Sequence, residues 1–251
     1  MLLYEFISSC YDERHLLTHF KHETMTTTYE IDLFDGHLIF EDNGLNILVD
    51  TGSPLTIGRS QQIDFMQRQE PCMTDLYGID IPGISDMLGY DIDVLMGMDI
   101  LGNYLILTDY RQKLVTFSDE EISLPSSLSA PLTQGPMGVV CLDLTVKGKR
   151  LKVALDTGAK ISYIKDSMTT GETQTGIKDD FNPMTGKFKT PIFDMDAEIV
   201  GLPFNVQFGI LPPLLATSLQ LAGIEGIIGY DLFNTFKVMM DFKKNKMNVC
   251  E

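Results

Sequence analysis

Two copies of the tripeptide Asp-Thr-Gly, separated by 106 residues, constrain the fold of this chain more than any other feature. They occupy residues 50–52 and 156–158. Alternating apolar residues precede both copies: Leu45, Ile47 and Val49 before the first, and Leu151, Val153 and Leu155 before the second. Alternation with a period of two indicates a strand with one buried face. Each copy is therefore predicted to present an aspartate on a tight turn at the end of a buried strand.

The duplication continues downstream with a different spacing. Residues 95–101 (LMGMDIL) match residues 227–233 (IIGYDLF), and the offset of this match is 132. Because the offset grows from 106 to 132, the second copy contains 26 additional residues between its two motifs. A single duplication of this length predicts two homologous lobes and not an array of short repeats.

These motifs resemble those of a known family. An apolar strand ending in Asp-Thr-Gly, followed by apolar-apolar-Gly-x-Asp-x-apolar, is similar to the aspartic proteases of the retropepsin and pepsin group. The resemblance covers residues 29–118 and 138–251, so the chain resembles two retropepsin-like halves fused into one. It implies an all-β, bilobal acid-protease fold, with two β-barrel-like lobes related by a pseudo-twofold axis and a short helix in each.

The domain organisation follows from the limits of the duplication. We expect an N-terminal extension over residues 1–27, a first lobe over 28–118, a linker over 119–137 and a second lobe over 138–251. The linker assignment depends on the high content of Ser, Pro and acidic residues. Within the extension, the apolar spacing favours a helix over residues 11–22, which would contain three histidines.

Asp50 and Asp156 are the predicted catalytic residues of an aspartic endopeptidase. Two carboxyl groups about 3 Å apart cannot both ionise readily, so one remains charged and can activate a water while the other stays protonated. The resemblance implies that Thr51 and Thr157 hydrogen-bond across the axis to the opposite loop. The absence of side chains at Gly52 and Gly158 would let the two loops approach each other.

The position after each glycine differs between the copies. Ser53 could donate its hydroxyl to Asp50, whereas Ala159 offers no such donor to Asp156. This difference predicts that Asp50 is the more acidic member of the pair. The aspartates of the later motif, Asp99 and Asp231, are predicted to cap short helices.

The additional residues of the second half predict a flap. Residues 172–192 can form a hairpin, and its tip contains turn-forming residues: Asn182, Pro183, Met184, Thr185 and Gly186. We expect this flap to contact the substrate. An ordinary surface excursion is the alternative.

Composition limits the partners. The net charge is −16 and no cluster of Lys or Arg stands out, so a nucleic acid is not an expected partner. The start of the chain lacks a basic leader, and no stretch approaches the ~20 apolar residues that span a bilayer. We therefore expect a soluble, cytoplasmic monomer that acts on an extended peptide or protein and uses no metal or other cofactor.

Two alternatives remain open at this point. The fold could serve a peptide-binding or scaffolding protein that does not cleave. Alternatively, residues 1–27 could lie across the cleft of an inhibited enzyme, with Arg14 or Lys21 near the aspartates.

Overall fold

The structure is a computed structural model that describes residues 25–251, and strands are its main secondary structure. The predicted helix over 11–22, with its histidines, and the proposed inhibitory contacts of Arg14 and Lys21 lie outside the described residues. The elements of the first half are β1 (Thr26–Phe34), β2 (His37–Asp42), β3 (Leu45–Val49), β4 (Ile57–Gly58), β5 (Gln62–Phe65), β6 (Arg68–Pro71), α1 (Ile81–Leu88), β7 (Val94–Met96), α2 (Met98–Leu101), β8 (Leu105–Asp109) and β9 (Leu114–Ser118).

The second half repeats this order with longer central strands. Its elements are β10 (Leu128–Pro131), β11 (Thr133–Gln134), β12 (Val140–Val146), β13 (Lys149–Leu155), β14 (Ser162–Ile164), β15 (Gln174–Asn182), β16 (Gly186–Ile199), β17 (Leu202–Ile210), α3 (Pro213–Leu221), β18 (Gly226–Ile228), α4 (Tyr230–Thr235), β19 (Lys237–Asp241) and β20 (Lys246–Cys250). Short 3-10 turns lie at Pro136–Gly138 and Asp166–Met168.

The duplication is visible in the register of the strands. In the first half β3 pairs in parallel with β7, and Leu48 lies opposite Leu95. In the second half β13 pairs in parallel with β18, and Ala154 lies opposite Ile227. These pairs occupy equivalent sequence positions, so the same local arrangement presents both Asp-Thr-Gly loops.

The expectation of an all-β, bilobal acid-protease fold is confirmed, with two differences in detail. The described part of each half contains two short α-helices instead of one. The eight-stranded sheet of the second half closes on itself through pairing of β12 with β16, where Val146 faces Ala197, and so resembles a barrel. The ten-stranded sheet, which contains most of the first-half strands, shows no equivalent closing pair among the described residues.

The sheets do not divide the chain at the predicted lobe boundaries. Strands β19 and β20 come from residues 138–251, yet they belong to the ten-stranded sheet, where β19 pairs with β8. The predicted linker contributes β10, which pairs with β20. Strands from both halves therefore share one sheet, and the domain boundaries stay a prediction.

The additional residues of the second half form a long hairpin. Strands β15 and β16 pair from Gln174–Phe193 to Asn182–Gly186. The corresponding region of the first half contains only the four-residue strands β5 and β6. Apolar residues of β16 alternate inward, since Met195, Ala197 and Ile199 are buried between exposed acidic residues.

No helix in residues 25–251 is both long and apolar enough to cross a membrane.

Candidate active site

The two Asp-Thr-Gly loops begin where buried parallel strands end. Val49 and Leu155, the last residues of β3 and β13, are fully buried. The next residue in each case is an aspartate whose backbone N–H remains in the ladder: Asp50 N donates to Met96 O at 3.0 Å, and Asp156 N donates to Ile228 O at 3.0 Å. The rigid strand ends therefore fix the starting point of both loops.

Thr51 and Thr157 join the loops beneath the aspartates. The backbone N–H of each threonine donates to the hydroxyl oxygen of the other, at 3.0 Å in both directions. Each hydroxyl in turn donates across the axis, Thr51 to Leu155 O at 2.9 Å and Thr157 to Val49 O at 2.8 Å. Both threonines are buried, so these four bonds hold the loops in a fixed relation.

Gly52 and Gly158 bring the aspartates together because they have no side chain. A Cβ atom on Gly52 would lie 2.6 Å from Cγ of Asp156, and one on Gly158 would lie 2.7 Å from Cγ of Asp50. Neither contact is sterically possible for a residue with a side chain. Their N–H groups donate within their own loops, to Asp50 at 2.8 Å and to Asp156 at 2.9 Å.

The carboxyl groups of Asp50 and Asp156 lie close together, each against the glycine of the opposite loop, and each affects the pKa of the other. Removal from water raises the pKa of Asp50, and hydrogen bonds from Gly52 N, from the Asp156 carboxyl and from Ser53 N oppose this rise. Burial raises the pKa of Asp156 well above its usual range, and repulsion by the Asp50 charge adds to the effect. Of the two carboxyls, Asp156 therefore has the more strongly raised pKa.

The hydroxyl of Ser53 does not contact Asp50, contrary to expectation. It donates to Leu55 O at 2.8 Å, as serine often does to nearby backbone, whereas the backbone N–H of Ser53 donates to Asp50 at 3.0 Å. The backbone N–H of Ala159 instead donates to the backbone carbonyl of Asp156, at 3.3 Å. The two aspartates thus differ because Asp50 accepts two backbone N–H groups and Asp156 accepts one.

Asp99 and Asp231 are not helix caps, so that prediction is wrong. The residues at the cap positions of α2 and α4 are Gly97 and Gly229, without a side-chain bond. The physical reason is that each carboxylate instead accepts a hydroxyl from a residue that lies shortly after the Asp-Thr-Gly loop of the same half.

These hydroxyls belong to Thr56 and Ser162, which sequence reasoning missed. Thr56 Oγ1 donates to Asp99 at 2.6 Å, and Ser162 Oγ donates to Asp231 at 2.8 Å. Each hydroxyl also accepts the N–H of the motif glycine, Gly97 or Gly229. The sequence did contain a signal, because a hydroxyl residue occurs at the same position after Asp50 and after Asp156. In both halves this hydroxyl ties the Asp-Thr-Gly loop to the later glycine motif.

The aspartates lie on the floor of a cavity of about 350 Å³. Ser53 and Ala159 also line this cavity, as do the two glycines. Its walls are mainly apolar and come from both halves: Ile57, Leu76, Ile79, Ile84 and Leu95 from the first, and Val139, Ala154, Leu211, Leu215, Leu219 and Ile227 from the second.

The tip of the β15–β16 hairpin borders the same cavity. Asn182, Pro183 and Met184 line it, whereas Thr185 and Gly186 form the turn without lining it. Asn182 Oδ1 accepts the N–H of Met184 at 3.0 Å, and Gly186 has φ +80°. The structure therefore brings part of the predicted flap next to the aspartates.

Four further polar residues line the cavity and were not predicted: His37, Tyr163, Asp180 and Ser218. Tyr163 donates its hydroxyl to Asp180, and His37 stacks on the ring of Phe181 with a centroid distance of 6.0 Å. Within residues 25–251, His, Cys, Asp and Glu form no group of three or more that could hold a metal ion.

Comparison with known proteins adds little to this geometry. The chain matches no protein-family model and no curated protein. Among solved structures it is similar to the solution structure of Simian Foamy Virus (mac) protease, with 17% sequence identity over 32% of this chain and 94% of that chain. The TM-score of 0.24 is too low to support an argument, so the proposals below depend on the site itself.

Proposed function

We propose that this protein is an aspartic endopeptidase in which Asp50 and Asp156 together activate a water molecule. The observation that supports this most strongly is that each of the two carboxyl groups lies against the glycine of the opposite loop and that both line one cavity. The crossed threonine bonds hold this pair in position, and such preorganisation is what a reaction between aligned groups requires.

The proposed reaction uses the different protonation of the two carboxyls. Asp50, charged, takes a proton from the water as the water oxygen attacks the carbonyl carbon of the scissile bond. Asp156 gives its proton to the carbonyl oxygen, so a neutral tetrahedral diol forms. The C–N bond then breaks as Asp50 returns its proton to the leaving nitrogen and Asp156 recovers one from a diol hydroxyl.

The proposed substrate is an extended peptide. Apolar walls on both sides of the aspartates suit apolar side chains that flank the scissile bond. Strand β15 is the outer strand of its sheet, so the hairpin offers free backbone groups with which an extended peptide could pair. Residues 182–186 act in this proposal as the tip of a flap that covers the substrate.

Digestion of a peptide library between pH 3 and 7, with and without a pepstatin-type inhibitor, tests this proposal. We expect cleavage that the inhibitor blocks and that Asp50→Asn abolishes. Asp75→Asn, at an exposed position of the first half, is the control and should cleave normally. Peptides that bind equally well to both proteins but are cleaved by neither would instead support the scaffolding alternative.

A further inference from the structure

The β15–β16 hairpin places a third carboxylate in the cavity that contains the Asp50–Asp156 pair, called the dyad below. Asp180 is only 8% exposed and lines the cavity together with Asp156. Its neighbour Asp179 points outward, has a side chain that is 77% exposed, and pairs with Lys189 at 2.6 Å. Because side chains alternate along a strand, the hairpin directs Asp180 inward and Asp179 to solvent.

The Asp180 carboxylate connects the hairpin to strand β14 in the rest of the second half. Its Oδ2 atom accepts the hydroxyl of Tyr163, which is buried in strand β14 just beyond the Asp156 loop. Its Oδ1 atom accepts the backbone N–H of Phe181 at 2.8 Å. The carboxylate is therefore fixed in one orientation by donors on both of its oxygens.

The next residue connects the same hairpin to the first half. The ring of Phe181 stacks on that of His37 in β2, and it packs against an apolar cluster of the first half. Residues 180 and 181 thus hold the hairpin to both halves, on either side of the cavity.

We propose that Asp180 is a positioning residue of the active site, which fixes the hairpin over the cavity through Tyr163 and whose negative charge keeps the shared proton on Asp156. The kinetic part of this inference rests on the proposed peptidase function. The effect on the proton of Asp156 is a property of the folded protein and can be measured without a substrate.

The charges around Asp180 determine the sign of the effect. Burial raises the pKa of Asp180, and the Tyr163 hydroxyl, the Phe181 N–H, Lys160 and His37 oppose this rise. Burial and then the Asp50 charge raise the pKa of Asp156 well above its usual range, and repulsion by Asp180 adds a smaller effect in the same direction. Burial lowers the pKa of His37, and Lys160 is paired with Asp35 at 2.6 Å. Because the pKa of Asp156 is raised more strongly than that of Asp180, Asp180 loses its proton first as pH rises, and burial favours the neutral form of His37.

Removal of the Asp180 charge should lower the pKa of Asp156. In Asp180→Asn the amide oxygen can still accept the Tyr163 hydroxyl, so the link to Tyr163 is kept while the charge and the bond from the Phe181 N–H are lost. We expect the alkaline limb of the kcat/KM profile to move to lower pH, with a several-fold loss of activity at a fixed pH on that limb. The matched control Asp179→Asn should leave the profile unchanged, because Asp179 faces solvent.

Tyr163→Phe tests the positioning part separately. It removes the hydrogen bond and keeps the ring, so we expect faster amide hydrogen exchange in β15 and β16 and a roughly tenfold rise in KM, as is usual for the loss of one hydrogen bond to a charged group. Exchange and KM equal to those of the unsubstituted protein would overturn the positioning role.

A carbon-13 NMR titration of the aspartate carboxyls separates the two proposals. A lower pKa of Asp156 in Asp180→Asn than in the unsubstituted protein supports the inference, and equal values overturn it. If the unsubstituted protein cleaves no peptide, the proposed function fails, yet the titration still decides the role of Asp180. If Asp180→Asn does not fold, the same titration in Asp180→Ser replaces it.

Discussion

Thr51 and Thr157 exchange two equivalent hydrogen bonds, each backbone N–H donating to the hydroxyl of the other threonine at 3.0 Å. The sequence separation of this pair is 106 residues, so the bonds link the two copies of the duplication directly. They lie below the dyad and are buried, and the relative position of the two aspartates therefore depends on them.

Thr157→Val should destabilise the fold and disturb the dyad. The valine keeps the shape of threonine but leaves the N–H of Thr51 and the carbonyl of Val49 without partners. An unsatisfied buried group costs about 1–3 kcal/mol, so for two such groups we expect the free energy of unfolding to fall by about 2–6 kcal/mol in urea titrations. Thr157→Ser retains the hydroxyl, so its free energy of unfolding should fall much less. Equal losses in both variants would show that the hydroxyl is not the important group.

Gly52→Ala should reduce peptidase activity by about 100-fold or more. Its Cβ atom would lie 2.6 Å from the Asp156 carboxyl, which must then move, and a displacement of about 1 Å is enough for such a loss. Gly176→Ala is the matched control, since a Cβ atom there meets nothing within 4 Å. Steady-state kinetics on a cleavable peptide would measure both, and normal activity of Gly52→Ala would contradict the close approach of the loops.

Ser53→Ala should leave the acid limb of the pH–rate profile unmoved. The hydroxyl bonds to Leu55 O, and the backbone N–H that contacts Asp50 is present in alanine as well. The hydroxyl-based explanation suggested by the sequence predicts a shift of this limb to higher pH. A shift of that kind would show that the Ser53 hydroxyl turns toward Asp50 in the working enzyme.

The stability of the protein should respond to pH through Asp156. Its pKa is raised in the folded state, mainly by burial, so folding favours the protonated form. This contribution is fully present below the pKa of the unfolded chain and is lost as pH rises through the folded pKa. The free energy of unfolding of Asp156→Asn should therefore be close to that of the unsubstituted protein at low pH. As pH rises, the variant should become the more stable of the two.

Chemical denaturation across a pH series checks this prediction. The difference in unfolding free energy between Asp156→Asn and the unsubstituted protein removes the contributions of the other carboxylates. A constant difference across the series would mean that Asp156 titrates normally.

Duplication explains why much of the fold and the central site could be predicted. Asp50 and Asp156, their strands and the later glycine motif each occur twice, so every inference had an internal check. A hairpin over residues 172–192 was predicted from the difference between the two spacings, and the strands of the observed hairpin extend from residue 174 to residue 199. Its role as a flap stays a prediction.

The remaining features depend on contacts that spacing does not encode. Asp180 lies in the additional residues, which have no counterpart in the first half, and only the folded hairpin shows that it meets Tyr163. The pairing of β19 with β8 joins strands from different halves. The Ser53 hydroxyl had two acceptors within reach, and the sequence alone could not decide between them.

Comparison of three variants tests the central claim most directly: Asp50→Asn, Asp156→Asn and the double variant, each assayed for peptide cleavage between pH 3 and 7. If the two carboxyls act as one unit, each single variant should lose about 1,000-fold or more in kcat, and the double variant should be no worse, since groups that act together are not additive. Substantial cleavage by either single variant, or losses that add in the double variant, would contradict a shared dyad.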